Sequence, residues 1–180
     1  MPAENEIDDL DAFADLWDDD EEQVRPINWD ALDADELHDA WMQLDRWVNW
    51  FRTTYGLPAT VVPPLWHRHP ELQWELSALH THWQSAYDPA GHGSAPHGWH
   101  RDLAEAIVRL RSWTAASGSR LDRDRPTRQT PWPGEPPPPV QPDLPIHDRA
   151  ADFADHLAAQ VNVRRALSDT ALATETQELP

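Results

Sequence analysis

An all-α fold, a small Trp-rich three-helix bundle, is predicted by three observations on this chain. Apolar residues recur in steps of three and four through three separate segments, which places each set on one helical stripe. Glycine or an Asp-Pro pair closes each segment, where it stops a helix. Nine of the eleven tryptophans fall between Trp29 and Trp113, inside the same region, as expected of an aromatic-heavy core. The full expectation divides the chain into a largely disordered acidic arm over 1–32, the bundle over 33–118 and a Pro-rich linker over 119–146. An amphipathic C-terminal helix follows over 147–168, then a disordered tail over 169–180.

In the arm, Ile7, Leu10, Phe13, Leu16 and Trp17 alternate with carboxylates, at steps that put most of them on one helical stripe. Five acids at Asp18 to Glu22 would sit at the C-terminus of such a helix, where its dipole disfavours them, so the arm alone is expected to be unstructured. Two readings stay open: a solubilising tail, or a segment that folds on docking.

The first helix is expected from Asp33 to Tyr55, with Leu37, Trp41, Leu44, Val48, Phe51 and Tyr55 on one seam and Gly56 as its stop. The segment Leu57 to Leu65 reads as an extended strap. At Trp66-His67-Arg68-His69-Pro70-Glu71 the strap turns into a second helix, with His69 at the N-cap, Pro70 at the first helical position and Glu71 favoured by the dipole. Its seam is Leu72, Leu76, Leu79, Trp83 and Ala86, ended by Asp88-Pro89. A loop over Ala90 to Gly98 precedes a third seam of Trp99, Leu103, Ala106, Leu110 and Trp113, closed by Gly118. Nine prolines between Pro126 and Pro145 favour an extended linker. A last thin stripe, Ala150, Phe153, Leu157 and Val161, either folds back on the bundle or binds elsewhere.

Charge and composition narrow the chemistry. The formal charge of -18 is concentrated in the arm: Met1 to Glu36 holds 15 acids against one arginine, whereas Leu37 to Gly118 holds 7 acids against 6 arginines. The bundle therefore has no basic footprint for nucleic acid. With no cysteine there is no disulfide, thiolate nucleophile or cysteine-ligated metal, and with no lysine there is no phosphate-loop lysine or Schiff base. No secretory leader pattern or long apolar span is present, so a cytoplasmic protein without membrane contact is expected.

Ten histidines invite a metal, yet only His97 and His100 have a spacing that puts two imidazoles on one helical face. Glu71, Glu75 and His82 share a flank of the second helix and form the alternative reading, a metal-dependent hydrolase assisted by His67 or His69. Without a His-Glu-x-x-His motif, solvated or helix-capping histidines are the expectation, and no cofactor is predicted. The serine elbow and the dinucleotide glycine pattern are absent too. A helix-turn-helix regulator, with Arg101, Arg109 and Arg111 on its last helix, is a further alternative, against which the long Asp88 to Gly98 connection weighs. Two tryptophans are off their seams: Trp50 points away from the first and Trp74 away from the second, beside the small residues Ala78, Thr81 and Ser85. Either the arm, the C-terminal helix or a partner is expected to cover them.

Trp66 with His69-Pro70-Glu71, then Leu76, Leu79 and Trp83, then Trp99-His100-Arg101-Asp102 resemble, over roughly Trp41 to Gly118, an uncharacterised actinobacterial domain-of-unknown-function family, number 4913. The resemblance implies a compact bacterial domain often met on plasmid- or phage-like elements, and implies no activity or site residues. The expected function is a non-enzymatic protein-interaction or adaptor module with an unidentified protein partner. Its candidate partner-binding residues are Ile7, Leu10, Phe13, Trp17, Trp50, Trp74, Phe153 and Leu157.

Overall fold

The computed structural model describes residues 24–140 and 142–177, with the side chains of 172–177 left aside. Its elements, in chain order, are α1 (Ala34–Thr54), a short 3-10 turn (Trp66–Arg68), α2 (Pro70–Ala86), α3 (Ala95–Ser117), the two-residue strands β1 (Arg123–Asp124) and β2 (Leu144–Pro145), and α4 (Arg149–Gln177). The fold is all-α, with one small antiparallel strand pair.

Helix α1 starts where the sequence dictates. Asp33 accepts hydrogen bonds from the Asp35 and Glu36 amides while Glu36 reaches back to the Asp33 amide, a reciprocal capping box. Its seam is buried as predicted, Leu44 and Phe51 completely, but the Tyr55 end is only partly covered. Helices α2 and α3 lie side by side, and Gly118 closes α3 at φ 78°, a left-handed conformation that glycine adopts without steric penalty.

One open choice is decided and three expectations are corrected. First, the bundle has a fourth member: α4 packs on α1 and on the 3-10 turn, and Phe153, Leu157 and Val161 are buried in the main core. The thin stripe suffices because Trp41 sits at the centre of the contact, 4.8 Å from Trp29, 5.7 Å from Trp66 and 6.1 Å from Phe153 between ring centroids. Asp148 caps α4 through the Ala150 and Ala151 amides, and the helix runs well beyond residue 168. Second, the strap is a series of turns, with the Val61 and Val62 amides both donating to the Pro58 carbonyl. Third, the described end of the arm is tied down: Trp29 is buried, and Arg164 of α4 donates to the Trp29 and Asp30 carbonyls at 2.9 and 3.0 Å. Fourth, the Pro-rich segment is stapled at both ends by β1–β2 pairing and by a two-pronged Arg125–Asp143 ion pair at 2.8 and 2.9 Å.

The aromatic core also departs from expectation in its polar atoms. The Trp99 indole donates to the Tyr55 hydroxyl, but the indole N–H groups of Trp29, Trp41, Trp47 and Trp66 are buried without a hydrogen-bond partner. Among the described residues no helix is long and apolar enough to cross a membrane.

Candidate interaction surface

The joint between the 3-10 turn and α2 looks at first like a reactive centre. His69 stands at the N-cap of α2 as predicted, yet its side chain caps nothing and is completely buried. Its Nε2 lies 2.8 Å from Asp124 and its Nδ1 lies 3.0 Å from the Thr127 hydroxyl, an order of hydroxyl, imidazole and carboxylate. Because ionised Asp124 can only accept, the imidazole donates from Nε2. The Ser119 hydroxyl donates to the same carboxylate at 2.7 Å and accepts from the Arg125 amide. Burial tends to raise Asp124, but the hydrogen bonds from His69 and Ser119 outweigh it and hold the carboxyl below its ordinary range.

The chemistry of acyl transfer does not fit this arrangement. The Thr127 hydroxyl donates its one proton to Glu71 at 2.9 Å and so has none to give the imidazole, and His69 and Asp124 are shut off from solvent. The network instead fastens the segment after α3 onto the start of α2. A second tie joins the 3-10 turn to α4: His67 donates from Nε2 to Asp152 at 2.8 Å, and Arg68 reaches the same carboxylate. Burial pushes His67 down to about 4, the Asp152 hydrogen bond offsetting only part of this, and burial alone does the same to His80. Thus His67, His69 and His80 are core residues, contrary to the expectation of solvated or capping histidines.

The hydrolase residues are held apart. Glu71 accepts from Thr127, Glu75 from Arg109 at 2.7 Å, and His82 is 3.2 Å from Asp102. Among the described residues no group of three or more His, Cys, Asp or Glu side chains could hold a metal ion. Two of the three arginines of the regulator reading are also engaged, Arg101 with Asp102 and Arg109 with Glu75.

What remains open is aromatic. Trp50 and Tyr87 are 40% and 44% exposed, and with half-buried Trp83 and Tyr55 they form one ledge. Ring centroids are 5.0 Å apart for Trp50–Trp83, 5.8 Å for Trp83–Tyr87 and 6.2 Å for Trp50–Tyr55. The ledge is rigid because Trp47 and Phe51, stacked at 4.8 Å beneath it, belong to the core. Trp74 is 42% exposed on another face of α2, above a groove shared with Ala78, Thr81 and Ser85. Trp113 is exposed as well; the third seam ends on buried Thr114, whose hydroxyl bonds the Val61 carbonyl, and not on the tryptophan.

Of the eight candidate partner-binding residues, the fold leaves Trp50 and Trp74 open and takes Phe153 and Leu157 into the core, where no partner reaches them. Ile7, Leu10, Phe13 and Trp17 lie outside the described residues. Tyr87 and Trp83 were not singled out, although their i, i+4 relation on one helix face would have paired them.

Fold and surface together define an all-α, tryptophan-rich bundle with a contiguous ledge of exposed aromatic rings. No family model, no curated protein and no solved structure matches the chain, and the resemblance to family 4913 rests on the sequence motifs alone.

Proposed function

We propose that the chain is a non-enzymatic protein-interaction or adaptor module that offers the Trp50–Trp83–Tyr87 ledge to a protein partner. The observation that carries this reading is the contiguity of these rings on a rigid support, with Trp50 and Tyr87 each about two-fifths in water. Tryptophan and tyrosine are the residues most often found as binding hot spots, and clustered exposed rings are unfavourable in water until something covers them. The polar clusters give the complementary support, since His69, Asp124, Ser119 and Asp152 spend their hydrogen bonds in fastening one segment to another.

The test uses the full chain, because a fragment over 33–118 would remove Phe153, Leu157 and Val161 from the core. Wild type, the Trp50→Ala/Tyr87→Ala double variant and Trp113→Ala are compared in quantitative affinity enrichment from an extract of the source cells. A partner of the ledge is depleted about tenfold or more by the double variant and retained by Trp113→Ala. Equal recovery by all three proteins overturns the reading.

A further inference from the structure

The groove beside Trp74 has an occupant available within the same chain. Its floor is the small-residue face of α2, Ala78, Thr81 and Ser85, with Trp74 at one end. Its facing wall is Val24 and Ile27, the first stretch of described chain, so the 23 residues that precede it leave from the groove's own edge. The volume, about 520 Å³, is that of a site for organic side chains and not for a single water.

We propose that residues 7–17 dock in this groove in cis, as a short helix whose Ile7, Leu10, Phe13 and Trp17 face the floor. Length supports the match. At about 1.5 Å per residue a helix over 7–17 spans about 15 Å, and the run from Trp74 to Ser85 spans about 16 Å. Six residues separate Trp17 from Val24, and at about 3.3 Å each they reach about 20 Å, enough to turn back along the groove.

Charge supports it as well. At about 100° per residue these four apolar side chains fall within about 120° of arc, while Leu16 and Asp8, Asp9, Asp11 and Asp15 fall on the remaining arc. Docked in this way, the carboxylates stay in water. Among the described residues no carboxylate lines the groove, so nothing there repels the acidic helix. The small floor lets a second backbone come close, and bulky aromatic side chains on the arm complement it. The proposal is independent of the ledge, because Trp83 lies nine residues from Trp74 and hence about 180° around α2.

The chain has no cysteine, which makes a single label unambiguous. In the full-length protein, Ala12→Cys carries a nitroxide on the arc away from the stripe, and amide line broadening is read by NMR. The expected result is several-fold stronger broadening of Ala78, Thr81 and Ser85 than of Arg111 and Ser112 on α3, together with broadening of the Trp74 indole resonance. Adding Leu10→Asp and Phe13→Asp to the labelled chain abolishes it. Broadening that is uniform, absent from α2, or indifferent to those two substitutions overturns the proposal. So does broadening that appears on isotope-labelled, spin-free chains mixed with spin-labelled ones, since it would assign the groove to the arm of a second copy.

Discussion

The joint at Trp66 to Glu71 and the ledge at Trp50 to Tyr87 invert the usual places of polar and aromatic side chains. At the joint, side chains that perform catalysis elsewhere are buried and tied to one another: His67 through its Nε2 with Asp152, its Nδ1 being buried without a partner, His69 with Asp124 and Thr127, Ser119 with Asp124. At the ledge, side chains that usually fill cores are left part-way in water on top of a finished core. Residue identity alone would assign chemistry to the first region and packing to the second. Burial reverses the assignment, because a histidine shut off from solvent offers no access to a substrate, whereas an exposed ring still has surface to bury.

The largest expected effect tests whether the joint is structural. Trp66→Ala removes a buried indole in contact with Trp41, and chemical denaturation should show a loss of about 3–5 kcal/mol. Unchanged stability would break the contrast at its stronger end. Next in size, Asp124→Ala leaves the buried His69 imidazole and Ser119 hydroxyl without their shared acceptor, and the same measurement should give a loss of about 3 kcal/mol.

The third expectation concerns acid. His67 titrates near 4 in the folded chain against an ordinary 6.5, so between these values the unfolded chain binds more protons and stability falls as pH falls. His80 adds a loss of the same sign over the same window. Thermal melts from pH 7 to pH 4 should therefore drop, with the His67 share about 2–3 kcal/mol. His67→Phe, which never has a proton to take up, should flatten the profile. A profile identical to wild type would remove His67 from the joint. Only below this window do Asp124 and Asp152, both held low, begin to lose their stabilising charge.

The smallest stability effect belongs to the ledge. Trp50→Ala with Tyr87→Ala should cost about 1 kcal/mol or less, since both rings are substantially exposed, while partner affinity falls about tenfold or more. A stability loss comparable to that of Trp66→Ala would show that the ledge is core after all, and the comparison would collapse.

Much of the frame was legible beforehand. The three main seams, the Asp33 cap, the glycine stops and the Pro70 start are local features, and each is fixed by residues a few positions apart. That Trp50 and Trp74 lie off their seams also followed from the angle each makes with its helix. Three things were not legible. Phe153 and Leu157 sit on too thin a stripe to say what they pack against, and their burial depends on Trp41, more than a hundred residues earlier. The acidic residue that buries His69 is Asp124, in a segment whose prolines suggested only a linker. The ledge combines Trp50 of α1 with Trp83 of α2 and Tyr87 just beyond its end, and no single helix pattern contains it.

The sequence by itself therefore determined where helices start, stop and turn their apolar faces, because capping, proline and side-chain periodicity act over one or two turns. Only the tertiary structure decided which histidines are buried, that the C-terminal helix completes the core, and which tryptophans remain in water. Those outcomes rest on contacts between residues tens to more than a hundred positions apart, and a partner's distance along the chain leaves no mark in the local pattern.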